Sequence, residues 1–378
     1  MTIRESDLAK TIPWAELAGP LVAAEDAVAR LDERLARSPV RDGFVERFHF
    51  HDAAATLWLE GELVHVEDLV LHDAHMDIRA PTHELTRAHA VLRTRRQVFG
   101  NAPDWALGRE GLRQLTGRDG ATAAAKNTSE GEGALAPERH LVDPSEADEP
   151  DPLAEEFAAI DAVLARSSAV LEGVAVEQPP RPQTALERDP LVYDPDWDER
   201  ARLDDWRAIL DRTADLPPVL AATLVWDAWE DVSPLQHQPW LGSLLVAACL
   251  RQRRKTTVHL LALNVGLRVI GRERRRHRHR TTRLLAFLDA VQEAAALGLK
   301  EHDRLALARE QMLRRTRDRR GNSKLPRLID YVLTRPLVSS GMIEKELRVT
   351  TRGALNLVGE LGMREITGRG RYRAWGIL

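Results

Sequence analysis

The last forty residues, SSGMIEKELRVTTRGALNLVGELGMREITGRGRYRAWGIL (339–378), carry the clearest structural pattern in the chain. A serine precedes the apolar-periodic run, where its hydroxyl can cap free backbone amides, so 339–349 is expected to be a short helix. TTRGALNLVGELGM (350–363) repeats the helical spacing, with Ala354, Leu355, Val358 and Leu361 as the expected buried face. REITGRGRYRAWGIL (364–378) changes period, and Gly368-Arg369-Gly370 reads as the turn between two strands. Upstream, KLPRLIDYVLTRP (324–336) is a further helix stopped by Pro336. Three short helices and a β-hairpin make a winged helix-turn-helix over 321–378.

In such a domain the second helix braces the third, whose exposed face enters the major groove. That face offers Thr351, Arg352 and Asn356. Arginine pairs bidentately with guanine and asparagine with adenine, so this stripe suits base reading. The wing adds Arg369, Arg371 and Arg373, with Tyr372 and Trp375 among them. Strand alternation is expected to turn the arginines to one face, toward phosphates or a minor groove, and the aromatics to the other. DNA is the expected partner, and a packing or dimerisation module is the alternative.

Charge supports an anionic partner. Residues 251–378 hold 30 Lys and Arg against 12 Asp and Glu, whereas the first 250 hold 24 against 46, so a formal net of −4 hides an acidic front and a basic back. A chain of 378 residues with 43% hydrophobic side chains can bury more than one core. The single cysteine, Cys249, excludes an internal disulfide and a cysteine zinc cluster. No apolar run reaches the roughly 20 residues of a membrane span, and MTIRESDLAK lacks the apolar segment of a secretory signal. The expectation is a soluble, cytoplasmic protein with no membrane partner.

The rest reads as mainly α. Residues 1–115 form an N-terminal helical region, with periodic helices over 15–38 and 83–99 and less regular ones within 44–73. Residues 116–152 are small, acidic and Pro/Gly-containing, the composition of a disordered linker. Residues 153–199 hold a helix (153–171) and a Pro/Asp-rich connection. Residues 200–320 form a helical core, with helices over 206–213, 216–232, 241–255, 258–270, 284–300 and 302–320. RERRRHRHR (272–280) reads as a solvated basic loop within it.

LPPVLAATLVWDAWEDVSPLQHQPWLGSLL (216–245) resembles the core of the Fic family, whose members transfer AMP from ATP to a protein hydroxyl. There a helix reading roughly LPPLIxAALAHxxFExIHPF leads into DGNGRxGRLL. Leu216, Pro217, Pro218, Leu224, Trp229, Glu230, Val232, Pro234, Gly242, Leu244 and Leu245 fall in step with it, with one residue missing between the halves. VGELGMREITGRGRYRAW (358–375) resembles the winged helix that often follows a Fic core, and Thr56, Glu60 and Gly61 resemble the family's inhibitory motif. The resemblance implies a Fic-like helical domain completed by the N-terminal helices.

It also implies where chemistry would lie. The family's general base corresponds to Ser233, whose hydroxyl does not titrate near neutrality. Its acidic magnesium ligand corresponds to His237, ill suited to a hard cation. The phosphate-cradling Gly-Asn-Gly becomes Gln238-Pro239-Trp240, and Pro239 has no N–H to offer. The two phosphate-clamping arginines become Leu241 and Ser243. Ser233, His237, Pro239, Leu241 and Ser243 are thus degenerate motif positions, and Thr56, Glu60 and Gly61 a vestigial inhibitory motif. The resemblance therefore implies a scaffold without catalytic residues, cofactor or metal. The whole layout also resembles an uncharacterised family with a C-terminal helix-turn-helix, frequent on plasmids of plant-symbiotic bacteria.

Ser233 and His237 are four apart, which suits a hydrogen bond across a helical turn. Pro234 and Pro239 oppose a regular helix there, and no carboxylate is fixed nearby in the chain to orient the imidazole. His65, His72 and His75, with Asp73 or Asp77, match no metal-binding spacing and read as surface or structural groups. The expected function is DNA-binding and regulatory, with the Fic-like part as a dimerisation or partner-sensing body. The alternatives are nucleotidyl (AMP) transfer at a remodelled loop, and an antitoxin-like module whose acidic half holds a basic protein.

Overall fold

The computed structural model describes residues 12–76, 80–117, 194, 196–316, 324–366 and 373–376. The expected linker beyond 117, the helix over 153–171 and the connection to 193 lie outside them, as do Asp77 and the turn of the wing. Helix α1 (Trp14–Ala36) buries Leu17, Leu21, Ala24, Val28, Leu31 and Leu35, one stripe at helical spacing. Helix α2 (Arg41–Leu59) has no such stripe because it is buried on nearly every side from Gly43 to Leu57, including Arg47, His49, Asp52 and Thr56. Helices α3 (Val66–Asp73) and α4 (His83–Gly100) pack on α2, and Thr82 caps α4 by accepting from the Leu85 amide at 3.2 Å. A 3-10 turn (Trp105–Leu107) and α5 (Arg109–Leu115) close this region.

Helix α6 (Glu199–Arg212) starts at Asp198, whose carboxylate accepts from the amides of Arg200 and Ala201 at 3.0 Å. Helix α7 (Pro218–Val232) begins with proline at its first position, where no amide is needed. Helices α8 (Leu241–Gln252), α9 (Leu263–Val269), the short α10 (Arg272–Arg275) and α11 (Arg280–Thr316) follow. At 37 residues α11 is about 55 Å long, and it packs along α1 and α9.

The structure corrects three expectations. The helices expected over 284–300 and 302–320 are one helix as far as Thr316. Gly298 does not break it, because its missing side chain admits α1: a Cβ there would lie 2.8 Å from Leu31 Cδ2. The helix expected from 258 begins only at Leu263. The carbonyls of Leu260 and Leu261 accept instead from buried Arg95, at 2.8 and 3.2 Å. RERRRHRHR has no buried residue, as expected, but is not all loop: Arg272–Arg275 is helical, and Arg274 pairs with Asp289 at 2.6 Å and Arg280 with Asp227 at 2.7 Å.

The C-terminal elements are α12 (Leu325–Thr334), β1 (Leu337–Ser339), α13 (Ser340–Leu347), α14 (Thr351–Leu361) and β2 (Ala374–Gly376). Strand β1 has no counterpart among the expected elements. It pairs antiparallel with β2 in the register Leu337↔Gly376, Val338↔Trp375, Ser339↔Ala374. On the other side of β2, Glu365 bridges Trp375 and the Ile366 amide donates to Ala374 O at 2.8 Å. The expected hairpin is therefore present as a bridge, and the regular pairing goes to β1.

These elements do not hang apart from the helical body. The described residues before Gly117 and from Asp196 onward form one compact unit. Leu337 and Ala374 share an apolar cluster with Phe50, Leu57, Leu69 and Leu92. Arg47 of α2, 1% exposed, donates to the carbonyls of Leu333 and Arg335 at 2.7 Å and of Gly43 at 2.9 Å. Beside it Gly43 touches the end of α12, where a Cβ would lie 1.8 Å from Leu333 O.

Candidate nucleic-acid interface

Thr350 starts α14: its hydroxyl accepts from the Gly353 amide at 3.2 Å. Gly362 ends the helix at φ 64°, a left-handed conformation that glycine adopts without strain. Arg315 of α11 donates to Leu361 O at 2.9 Å, satisfying a carbonyl of the last turn. Ala354, Val358 and Leu361 are buried as the spacing predicts, and Leu355 is half-buried. Thr351, Arg352 and Asn356 are exposed. Neither the Arg352 nor the Asn356 side chain has an ion pair or hydrogen bond among the described residues, so both are available to a partner.

The bracing helix α13 is capped by Ser339, which accepts from the Met342 amide at 3.3 Å. It ends at Arg348, held at φ 50° where glycine is usual. Lys324 donates to Leu347 O at 2.8 Å and Arg348 O at 3.0 Å, a cation at a helix C-terminus. Lys324 is thus committed to the fold rather than to phosphate.

On the wing, Arg369, Arg371 and Tyr372 lie outside the described residues. Arg373 is exposed and pairs with Glu365 at 2.7 Å. Its guanidinium lies over the Trp375 ring, 5.3 Å from the centroid and so within cation–π range. The expected segregation of arginines from aromatics fails at this pair, since residues two apart on a strand share a face.

The loop between α7 and α8 holds most of the degenerate motif positions. Ser233 caps α7 at φ 46° and donates to Glu230 O at 3.2 Å. His237 does not meet Ser233; its Nδ1 lies 3.0 Å from Glu199 Oε1, which also accepts from the Gln236 amide at 3.2 Å. A carboxylate therefore does orient this imidazole, contrary to expectation, and comes from the start of α6. Trp229 Nε1 donates to Pro239 O at 3.1 Å, and Gly242 lies under the Trp229 ring, where a Cβ would be 2.3 Å from its nearest atoms. Leu241 is fully buried.

Ser243 and Thr56 are brought together by Asn264, a residue that no motif singles out. Asn264 Nδ2 donates to the hydroxyls of both at 2.9 Å and lies 3.2 Å from Asp52 Oδ2. Asp52 also accepts from the Asn264 amide at 2.9 Å, capping α9, and pairs with Arg95 at 2.6 Å. Burial pushes the Asp52 carboxyl up and Arg95 pulls it back. Apart from Arg95 Nε, which has no hydrogen-bond partner among the described residues, these buried groups bond one another, which marks the cluster as architecture. Glu60 is spent on Arg87, with Glu62 beside it, and Gly61 follows at φ 92°. Asp73 binds Arg96 at 2.8 Å and His89 at 3.1 Å, and His72 packs edge-on against His89. Among the described residues no group of three or more His, Cys, Asp or Glu is placed to hold a metal ion, and no helix is long and apolar enough to cross a membrane.

Known proteins share both parts of this architecture. Residues 191–317 match the family described as a protein of unknown function (DUF1612), and residues 325–378 match an HTH DNA binding domain. The uncharacterized protein y4cF of Sinorhizobium fredii (strain NBRC 101917 / NGR234) is 50% identical over 380 residues, covering 98% of this chain and 99% of that protein.

Proposed function

Since the chain belongs to the same family as the Sinorhizobium protein and carries a helix-turn-helix DNA-binding domain, we propose that it is a DNA-binding regulatory protein. The observation that carries this is the outer face of α14, where the exposed Arg352 and Asn356 side chains have no partner among the described residues while Ala354, Val358 and Leu361 anchor the opposite side. Arg352 reads a guanine edge, Asn356 an adenine, and Thr351 a phosphate or base at the helix N-terminus. Arg369, Arg371 and Arg373 of the wing supply backbone or minor-groove contacts.

We assign the helical body a dimerisation or partner-sensing role on a Fic-like scaffold that does no chemistry. Support comes from how its motif positions are used. Ser233 is tied to its own helix, His237 to Glu199, Ser243 to Asn264, and Leu241 lies in the core.

Selection from random DNA followed by binding measurements tests the reading. The wild type should enrich a defined site and lose affinity steeply with salt. Combined alanine substitution of Arg352, Asn356, Arg369, Arg371 and Arg373 should abolish binding, and retained affinity would overturn the assignment. Incubation with labelled ATP and Mg²⁺ tests the enzymatic alternative. A transfer product lost on Ser233→Ala or His237→Ala would replace the inactive-scaffold reading.

A further inference from the structure

A cleft of about 430 Å³ opens where the segment leaving α14 meets the helical body, within the size range of small-molecule sites. The body side is Glu67, in the first turn of α3, and one face of α11 running from Arg304 through Ala308 and Met312 to Arg315. The other side is Leu361 to Ile366, with Gly376 of β2 beneath. A Cβ on Gly376 would lie 2.7 Å from Ile366 Cδ1, so the Ile366 side chain covers the strand there.

Two charged groups of the wall are already committed. Arg304 donates to Glu301 at 2.6 and 2.7 Å, and Glu365 pairs with Arg373 at 2.7 Å. The exposed side chains of Glu67, Gln311 and Arg364 have no hydrogen bond or ion pair among the described residues. Arg315 gives only Nη1, to Leu361 O at 2.9 Å, and that nitrogen lies 3.0 Å from where a Gly362 Cβ would stand. Leu361 and Gly362 both line the cleft, so the exposed Arg315 guanidinium is fixed at its wall with Nε and Nη2 left over. A donor held in place beforehand loses little freedom on binding. Between these charges the wall is aliphatic: Ala308, Met312, Met363 and Ile366 are half-buried, and no aromatic ring is among the described residues that line it.

Uncommitted charge of both signs around an aliphatic wall selects the ligand. A purely apolar molecule would strip water from Glu67, Arg315 and Arg364 and give them nothing in return. A phosphate or a dicarboxylate suits the two guanidiniums but is repelled by Glu67. A nucleobase finds no ring on which to stack. A zwitterion answers both charges, and methionines adapt to an irregular aliphatic side chain.

We propose that this cleft binds a free α-amino acid with an aliphatic side chain, its carboxylate on Arg315 and Arg364, its ammonium on Glu67 and its side chain among Met312, Met363 and Ile366. The occupant touches α3 and α11 on one side and the segment leaving α14 on the other, so binding alters how the reading helix is held. This second step rests on the DNA-binding reading; the binding site does not.

Calorimetry on the full chain tests the site with L-leucine, its amide, which lacks the carboxylate, and 4-methylpentanoate, which lacks the ammonium. The wild type should bind leucine saturably with a Kd below about 1 mM, and either analogue at least about tenfold more weakly. Arg364→Gln should weaken leucine about tenfold and leave the amide unchanged, whereas Glu67→Gln should weaken leucine about tenfold and leave 4-methylpentanoate unchanged or tighter. Both positions are exposed, so the circular dichroism of each variant should match the wild type. No saturable leucine binding, an analogue that binds as tightly as leucine, or variants that leave leucine unchanged or weaken it and its analogues alike would overturn the site. Saturating leucine should change the affinity for a selected DNA site at least about fivefold, and the change should vanish when Glu67→Gln and Arg364→Gln are combined. Equal DNA affinity with leucine bound overturns the coupling to α14 alone. A protein that binds leucine but no DNA overturns the DNA-binding reading and leaves the site standing.

Discussion

Replacing Arg47 with methionine tests whether the DNA-reading domain is built into the body or merely attached to it. The guanidinium donates to Leu333 O and Arg335 O at 2.7 Å and to Gly43 O at 2.9 Å, and sits 3.4 Å from Val332 O. The carbonyls of Val332, Leu333 and Arg335 end α12, where Pro336 has no amide to return. Each charged hydrogen bond contributes about 1.5–3 kcal/mol. Burial opposes them, since it pulls the Arg47 pKa from 12.5 down to about 10. Methionine fills most of the volume and recovers that burial cost, but leaves the α12 carbonyls without donors. Two short bonds lost against partial recovery give a net destabilisation of about 3 kcal/mol. Urea unfolding of the full chain measures it, with amide exchange following α12–α14 separately. The variant should unfold earlier, with exchange in α12–α14 accelerating before that in α1 and α11. A loss under about 1 kcal/mol, with exchange still coincident across both regions, would refute the clamp.

Gly242→Ala should cost about 3 kcal/mol in thermal unfolding, because its Cβ would meet the Trp229 ring at 2.3 Å and displace the indole from Pro239 O; an unchanged melting temperature would mean that the loop repacks freely. Arg348→Gly should stabilise by about 0.5–1 kcal/mol by relieving the left-handed backbone at φ 50°, readable as a raised denaturation midpoint. Asp32 should govern acid stability. Burial alone would raise its pKa, but bonds from His259 and Thr257 hold it down, from 3.8 to about 2. A depressed folded pKa stabilises above the unfolded value, so this contribution of about 1–2 kcal/mol after solvent screening is present above pH ~4 and lost toward pH 2; Asp32→Asn should flatten that part of the curve. A fragment of residues 324–378 should show no cooperative melting, because it loses Arg47, Arg315 and the apolar cover over Leu337 and Ala374. A sharp transition would show that the reader folds alone.

The elements legible in advance are those set by local chemistry. Helix α13 announces itself through Ser339, whose hydroxyl accepts from the amide three residues on, and α14 through its apolar spacing, from which the exposed Arg352 and Asn356 follow. Helix α2 resists reading because burial on all sides erases amphipathic spacing. The break expected between 300 and 302 does not occur, and Gly298 just before it is a point of approach for Leu31. Strand β1 is three residues long and leaves too short a pattern to see. Long-range partnerships are the least legible. The Glu199–His237 contact joins positions 38 apart, and Asp52 and Asn264 meet across 212. No pattern in the sequence marks Arg47 for burial, since arginine is seldom fully buried, and only the carbonyls that surround it explain its place.

The basic third of the chain is likewise less free than its composition suggests. Arg274 is bound to Asp289, Arg280 and Arg283 to Asp227, Arg315 to Leu361 O, Lys324 to α13 and Arg373 to Glu365. Arg274, Arg280, Arg283 and Arg373 are therefore partly offset by carboxylates, whereas Arg315 and Lys324 keep their charge but are tied to carbonyls. Counterion release scales with the phosphates actually neutralised, so bulk charge contributes less to DNA binding than the total implies. The weight shifts to placement. Helix α14 is fixed at its C-terminus by Arg315, and α12 is fixed by Arg47, so the body determines where Arg352 and Asn356 point. In a two-fold assembly that rigidity would set the separation of the two reading helices, and with it the half-site spacing a palindromic target must have.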